Sequence, residues 1–143
     1  MSTVMTMGTF DLLHPGHVEL LAACRQMAGS NGTVIVAVNS DEFVASFKDR
    51  APVQSFAERS TMIDALVYSD VVIKTQSHDA KPALLHHNPD FLVIGSDWAP
   101  PKDYFEQLQI TPAFLRENSI SLMFHYREGL YSSTSLKERV RNV

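Results

Sequence analysis

Apolar positions along the chain form short continuous runs, separated by longer stretches with helical spacing. The runs at residues 4–7, 33–38 and 91–94 are rich in aliphatic side chains, as expected for strands buried on both faces of a parallel sheet. Two further strands are predicted at residues 68–73 and 120–124, the latter from alternating apolar positions. Strands that alternate with helices predict an α/β fold with a doubly wound parallel sheet.

Helices are predicted in the segments between these strands from the 3.6-residue spacing of apolar positions. They are expected at residues 18–27, 42–47, 56–67, 79–88, 102–118 with a break near Pro112, and 136–140. Ser55 and Glu58 have the spacing of a capping box, and Gly29 is a typical helix stop. The chain of 143 residues is long enough for one domain with a single three-layer core, spanning residues 1–143.

The segment at residues 8–17, Gly-Thr-Phe-Asp-Leu-Leu-His-Pro-Gly-His, joins the first strand to the first helix. A glycine-containing turn between a strand and a helix is where an open parallel sheet binds phosphate. Pro15 suits the first helical turn, so we expect Gly16 and His17 to lie in that turn with exposed N–H groups. His14 and His17 would then face one anion, an arrangement suited to phosphoryl or nucleotidyl transfer.

A second anion site is predicted before the last helix. Ser132, Ser133 and Thr134 are placed as N-cap and first-turn residues, and Arg127 precedes them closely enough to add charge-assisted hydrogen bonds. The adjacent His86 and His87 lie on a predicted helix, where neighbouring side chains point about 100° apart, which argues against a metal site.

Composition narrows the possible functions. The net charge is −4, so there is no basic footprint for nucleic acid, and a negative ligand must be held by a local cluster of donors. The start of the chain lacks the pattern of a signal peptide and no apolar run is long enough to span a bilayer, so we expect a cytoplasmic protein without a membrane partner. Cys24 is the only cysteine, which excludes an intrachain disulfide, and its helical position predicts burial.

The segment at residues 8–17 resembles the signature of the cytidylyltransferase-like nucleotidyltransferases, whose mark is His-x-Gly-His, and most closely that of the glycerol-3-phosphate cytidylyltransferases. The resemblance extends over residues 4–140. It implies a Rossmann-like sheet of five strands in the order 3-2-1-4-5. It also implies that His14 and His17 stabilise the α-phosphate in the transition state, with Gly8, Thr9, Phe10 and Gly16 contacting the nucleotide.

Other residues are assigned by the same resemblance. Lys48 matches a lysine-bearing loop that closes over the triphosphate, and the alternative is a solvated loop that also contains Arg50. Arg59 matches an arginine of the nucleotide pocket, and the alternative is a surface ion pair at i, i+4 spacing with Ser55 or a nearby acid. Asp97 in Gly-Ser-Asp-Trp matches another pocket residue, although Ser96 replaces the usual aspartate. Arg127 and the segment 132–134 match the Arg-Thr-Glu-Gly-Ile-Ser-Thr-Thr motif, with the threonine after arginine missing and Tyr131 added.

The resemblance implies transfer of a nucleotidyl group from CTP to glycerol 3-phosphate with release of pyrophosphate, assisted by Mg²⁺ bound to the triphosphate. The alternative is an adenylyltransferase of the same family that acts on a sugar 1-phosphate or FMN. The segment at residues 50–53, Arg-Ala-Pro-Val, favours this alternative. A nucleotide-binding subunit without turnover is a third possibility. The resemblance further implies a homodimer, which would cover Phe43, Phe47 and Phe56, and the alternative is that these residues belong to the core of a single chain.

Overall fold

The sequence folds into a five-stranded parallel sheet covered by helices on both faces. A computed structural model describes residues 1–48, 50–95, 104–126 and 132–143. In chain order the elements are β1 Thr3–Gly8, α1 Pro15–Ala28, β2 Thr33–Asn39, α2 Asp41–Phe47, α3 Phe56–Asp64, β3 Val71–Thr75, α4 Lys81–His87, β4 Phe91–Gly95, α5 Tyr104–Leu108, α6 Pro112–Glu117, β5 Ser121–His125 and α7 Ser133–Arg141.

The strand order β3-β2-β1-β4-β5 confirms the predicted topology. All four strand pairings are parallel, with Met5 opposite Ile35 of β2 and Leu92 of β4. The order reverses between β1 and β4, which is where open α/β sheets bind ligands at the carboxyl ends of their strands. Gly8, Asn39, Gly95 and His125 end their strands at this edge.

Alternate side chains of the central strands supply two hydrophobic cores. Val4 and Val36 point to one face, where they pack with Leu21 of α1 and Ile63 of α3. Met5, Leu92 and Ile94 point to the other face, where they pack with residues of α4, α5 and α6. Burial on both faces explains why these strands appear in the sequence as continuous apolar runs.

Several local predictions are confirmed with shifted boundaries. The predicted break near Pro112 is confirmed, since the described part of this segment forms two helices, α5 and α6, and Thr111 caps the second, which begins at Pro112. The helix predicted at residues 56–67 ends at Asp64. Asp70 braces the strands, as its carboxylate accepts hydrogen bonds from Val34 N–H at 2.8 Å and from the Arg25 guanidinium.

Cys24 is buried on α1, and burial raises the pKa of its thiol to about 12. The His86 and His87 rings meet edge to face, and the described residues contain no cluster of three or more His, Cys, Asp or Glu side chains suited to a metal ion. Within the same described ranges, no helix is long and apolar enough to cross a membrane.

Candidate active site

The turn between β1 and α1 is closed by the two histidines themselves. His14 is the N-cap of α1, with extended backbone dihedrals, and Pro15 follows as the first helical residue. The Nδ1 atom of His14 accepts a hydrogen bond from Gly16 N–H at 3.1 Å, and Nδ1 of His17 accepts one from His14 N–H at 3.2 Å. This is a reciprocal capping box in which imidazoles replace the usual hydroxyl and carboxylate.

These two hydrogen bonds assign the tautomer of both rings. An Nδ1 atom that accepts a backbone N–H carries no proton, so each neutral imidazole holds its proton on Nε2. The rings are stacked, with centroids 3.7 Å apart and an interplanar angle of 26°. Because both residues line the same cavity, the pair is suited to donate two N–H groups to one anionic centre.

The predicted exposure of the first-turn N–H groups is wrong. Gly16 N–H is taken by the His14 side chain, and His17 N–H donates to the His14 carbonyl at 3.0 Å. The physical reason is the capping box, which satisfies the donors that a helix start otherwise leaves open. Anion binding at this turn must therefore rely on the imidazoles rather than on these two backbone groups.

The turn contains two non-glycine residues in the left-handed region. Phe10 has φ 56° and Leu12 has φ 51°, a conformation that costs about 1–3 kcal/mol for each such residue. Phe10 is held there because its ring is buried in the core beside Leu21. A Cβ atom at Gly8 would lie 3.2 Å from this ring, so the close packing of the turn favours glycine at that position.

Arg59 stabilises this turn through hydrogen bonds from its side chain. The side chain is fully buried and its guanidinium donates to the Thr9 carbonyl at 2.7 Å, to the Gln54 carbonyl at 3.0 Å and to Asp41 at 2.7 Å. Partial burial raises the pKa of the Asp41 carboxyl, but hydrogen bonds from Arg59 and Phe56 N–H outweigh it and hold the pKa below its ordinary value.

The predicted alternative for Arg59, a surface pair at i, i+4 spacing with Ser55 or a nearby acid, is wrong, because the partner is Asp41, 18 positions away, and the arginine is fully buried. It is buried because α3 packs against β2 and β3 and because Thr9, Gln54 and Asp41 surround its guanidinium with acceptors. Arg59 is absent from the described residues that line the cavity, so its direct contact with a nucleotide stays a prediction. Its observed contacts are those of a residue that positions Thr9.

A cavity of about 420 Å³ opens above the carboxyl ends of β1, β4 and β5, and it brings most of the predicted site residues together. Those that line it are Gly8, Thr9, Phe10, His14, Gly16, His17, Lys48, Ser132, Ser133 and Thr134. Asp97 and Arg127 lie outside the described residues. The segments that meet here are far apart in sequence, which is typical of a ligand site at a switch point of the strand order.

Cationic side chains reach this cavity from two further segments. Lys48 and Arg50 come from the loop after α2, and Lys137 comes from α7. They supply a local positive cluster on a chain of net charge −4, as the composition required of an anion site. Lys137 was missed by the sequence analysis, although it lies four residues after Ser133 and therefore on the same helical face.

His125 was missed as well. It is the last residue of β5 and lines the same cavity. Its position at the carboxyl end of a parallel strand was the available signal, since that edge of the sheet holds the ligand. The strand was predicted to end at residue 124, which left His125 in the following loop.

Asp11 connects the elements around the cavity. Its buried carboxylate accepts hydrogen bonds from Val53 N–H at 2.8 Å and Gln54 N–H at 3.0 Å, and Lys137 lies 3.7 Å from it. Its carbonyl accepts a hydrogen bond from the Ser133 hydroxyl. Asp11 therefore ties both the loop before α3 and the start of α7 to the histidine-containing turn.

The predicted N-cap and first turn at the start of α7 are confirmed, and anion binding there stays a prediction. Ser132 is the N-cap, with its hydroxyl accepting from Ser135 N–H at 2.9 Å, and Ser133 and Thr134 form the first helical turn. All three residues line the cavity that contains the histidines. The two helix N-termini thus face one volume rather than two separate sites, which suits a ligand with several phosphate groups.

Comparison with known proteins places these features in a family. The sequence model of the cytidylyltransferase-like family matches residues 5–139. The glycerol-3-phosphate cytidylyltransferase of Bacillus subtilis (strain 168) is 31% identical over 144 residues, with 100% of both chains covered. The FAD synthase of Korarchaeum cryptofilum (strain OPF8) is 31% identical over 138 residues, covering 96% of this chain and 90% of the relative.

The fold has a counterpart among solved structures. The lipopolysaccharide core biosynthesis protein from Thermoplasma volcanium GSS1 has a TM-score of 0.68 and 22% sequence identity, over 87% of this chain and 95% of that chain. This likeness supports the fold, and the family assignment rests on the sequence matches above. The chain therefore belongs to the cytidylyltransferase-like family of nucleotidyltransferases.

Proposed function

We propose that this member of the cytidylyltransferase-like family transfers a nucleotidyl group from a nucleoside triphosphate to the phosphate of a small acceptor, releasing pyrophosphate. The observation that carries the proposal is the capping box of His14 and His17. It stacks two imidazoles at the wall of a cavity that is also lined by lysines and a hydroxyl-rich helix start, and it leaves the proton of each neutral ring on Nε2. These groups suit a reaction in which catalysis is mostly positioning and charge stabilisation.

In the proposed step, an oxygen of the acceptor phosphate attacks the α-phosphorus while the bond from that phosphorus to the bridging oxygen of pyrophosphate breaks. His14 and His17 stabilise the negative charge on the α-phosphate oxygens. Lys48 and Ser133 bind the leaving pyrophosphate, and Arg127 is proposed to do so as well. No side chain needs to act as a nucleophile, because the acceptor phosphate is itself anionic at neutral pH.

Mg²⁺ is proposed to enter with the triphosphate. Asp11 is the one acidic side chain among the described residues that line the cavity, and its oxygens already accept hydrogen bonds from backbone N–H groups. This donor set fits a magnesium ion held mainly by phosphate oxygens and water, a common arrangement for this cation. When bound, the ion would offset part of the charge that develops on the phosphates.

One candidate for the finer activity is cytidylyl transfer from CTP to glycerol 3-phosphate. It is supported by the full-length match to a glycerol-3-phosphate cytidylyltransferase and by the motif resemblance around the histidines. A second candidate is adenylyl transfer from ATP to FMN or a sugar 1-phosphate. The match to an FAD synthase over 96% of the chain supports the FMN form of this candidate.

A panel of nucleoside triphosphates and phosphorylated acceptors, assayed for pyrophosphate release, tests both levels of the proposal. We expect release only when one matching pair is present, and loss of release when EDTA removes Mg²⁺. The His14→Ala and His17→Ala variants serve as inactive controls. No pyrophosphate from any pair would contradict nucleotidyl transfer, whereas release with a different pair would contradict only the assigned substrates.

A homodimer is part of the proposal, although one chain alone already covers two of the three phenylalanines that the dimer was expected to cover. Phe43 is 9% exposed and Phe56 is half-buried against the core, so a single chain already covers both. Phe47 remains 39% exposed. Light scattering at micromolar concentration is expected to give twice the mass of one chain, and the mass of one chain with activity retained would contradict a functional dimer.

A further inference from the structure

A second cavity of about 490 Å³ lies beside the first, at the carboxyl ends of β2, β3 and β4. Met7, Gly8 and Lys48 line both cavities, so the two spaces adjoin at the end of β1. The second cavity contains apolar walls with a few polar groups, a combination typical of small-molecule sites. The proposed reaction has so far used only the first cavity.

One wall of the second cavity is aromatic. The Phe43 ring is 5.0 Å from the Phe47 ring and 4.6 Å from the His78 ring, and Phe47 and His78 are 5.3 Å apart, measured between centroids. All three residues line the cavity, and Phe47 is 39% exposed. The same cavity is also lined by the buried aliphatic residues Leu92 and Ile94. A flat group bound in this cavity would therefore have both ring surface and aliphatic surface to contact.

The opening between the two cavities sets the orientation of such a ligand. Met7 and Gly8, at the end of β1, line both cavities. A phosphate attached to the flat group would therefore be placed near Gly8, on the side that opens toward the histidines. This is where the acceptor phosphate must be in order to reach the α-phosphorus.

We propose that the second cavity binds the acceptor, that the acceptor is a phosphate monoester with a flat ring system, and that Phe43, Phe47 and His78 select for that ring. This inference rests on the proposed nucleotidyl transfer and names the acceptor class for it. The acceptor phosphate forms the new bond to the α-phosphorus, and pyrophosphate leaves with the electrons of the broken bond. A glycerol chain has no flat surface to match this wall, so the cavity favours an acceptor of the FMN type over glycerol 3-phosphate.

The test uses FMN as the probe, because its fluorescence reports binding without turnover. Phe47→Ala removes a half-exposed ring and leaves the buried core in place, Phe47→Leu keeps the apolar character without the ring, and Phe47→Tyr restores the ring. Met62→Ala is the matched control, since Met62 is also partly exposed on a helix, at 45%, and lines neither cavity. For each variant, the Kd for FMN and the KM values for FMN and the triphosphate are measured.

We expect the Ala and Leu variants to weaken FMN binding and to raise its KM by about 5- to 50-fold, the range of one aromatic stacking contact. The Tyr and Met62 variants should stay within about twofold, and the KM for the triphosphate should not follow that for FMN. The inference would be overturned by a higher kcat/KM with glycerol 3-phosphate than with FMN. It would also be overturned if the Kd for FMN were the same in the Phe47 variants as in the unchanged protein.

The two proposals fail in distinguishable ways. FMN binding that depends on Phe47, without pyrophosphate release from any substrate pair, would support the ring-binding cavity and contradict nucleotidyl transfer. Pyrophosphate release with a non-aromatic acceptor alone would support nucleotidyl transfer and contradict the assigned acceptor class.

Discussion

Two helices present their N-termini to the same cavity, but the protein holds them in different ways. Helix α1 begins with a capping box of two imidazoles and buries Leu21, Cys24 and Ala28 in the core. Helix α7 begins with a serine cap, and none of its residues is buried. Its described links to the histidine-containing turn are polar and pass through Asp11.

This difference separates two tasks that the proposed reaction requires. The donors assigned to the α-phosphate sit on an element fixed by the hydrophobic core, where small displacements are resisted by close packing. The hydroxyls assigned to the pyrophosphate sit on an element fixed by a few hydrogen bonds and one ion pair. Stabilisation of the transition state requires fixed donors, whereas release of a product is helped by contacts that break easily.

Removal of the donors on α1 is expected to have the largest effect. His14→Ala or His17→Ala should lower turnover by about two to four orders of magnitude, because each variant loses one donor to the developing charge. His14→Asn separates the two roles of this residue, since asparagine caps a helix well but places no donor at the position of Nε2. We therefore expect the Asn variant to recover stability without activity, measured by thermal unfolding and pyrophosphate release.

His86→Ala is the control, because His86 is exposed on α4 and lines neither cavity. Near-normal turnover in a folded His14→Ala or His17→Ala variant would contradict the catalytic assignment of the pair. It would also contradict the assignment of different catalytic tasks to the two helices.

Breaking the link through Asp11 is expected to have the next largest effect. Asp11→Ala leaves Val53 N–H and Gln54 N–H without their acceptor and Lys137 without its counter-charge. We expect kcat/KM to fall by about 10- to 100-fold, with Asp11→Asn intermediate because its amide oxygen still accepts one hydrogen bond. The drop should appear in both KM and kcat, since the loop loses two hydrogen bonds and α7 loses its ion pair and keeps only the Ser133 hydrogen bond to the backbone carbonyl.

Asp90→Ala is the matched control, because Asp90 also accepts a backbone N–H, that of Thr3 at 2.8 Å, but at the opposite edge of the sheet. It is expected to change stability and to leave the kinetic constants within about twofold. If Asp11→Ala behaved like Asp90→Ala, the polar link would have no role in positioning.

Removing single cations from the loop should have smaller effects. Lys48→Ala is expected to lower kcat by about tenfold while weakening triphosphate binding less, because the lysine is assigned to the leaving pyrophosphate. Arg50 lines the same cavity, and we expect Arg50→Ala to lower kcat less than Lys48→Ala does. Steady-state kinetics together with equilibrium binding would measure the split, and equal effects at both positions would show that the wrong cation was assigned.

The comparison can be sharpened without changing the chain. Amide hydrogen exchange should show the central turns of α1 exchanging only through global unfolding, because this helix is packed into the core. The amides of α7 should exchange far faster. Adding the substrates should protect α7 more than α1, and equal protection of both helices in the free protein would contradict the proposed difference.

The contrast also explains what the sequence made predictable. The runs at residues 33–38 and 91–94 are apolar on both faces of the strand. Their composition alone therefore identifies them as strands of a parallel sheet covered on both sides. The histidine-containing turn was predictable because all its signals lie within ten consecutive residues. Each of these features depends on neighbours in the chain.

The missed features depend on neighbours in space. The burial of Arg59 follows from how α3 docks beside Thr9 and Asp41, which are 50 and 18 positions away. The occupied N–H of Gly16 depends on the rotamer of His14, and the contact between Ser133 and the Asp11 carbonyl spans 122 positions. The sequence shows which residues occupy these positions. It does not show which distant residues they contact in the folded chain.

The burial of Cys24 makes the protein well suited to chemical labelling. The chain has a single thiol, and with a pKa of about 12 it stays protonated and shielded at neutral pH. Alkylating reagents should therefore leave the native protein unmodified and react only when α1 leaves the core, so the labelling rate reports unfolding directly. A cysteine introduced at the exposed Ala51, beside the first cavity, would then carry a dye or spin label at one defined position.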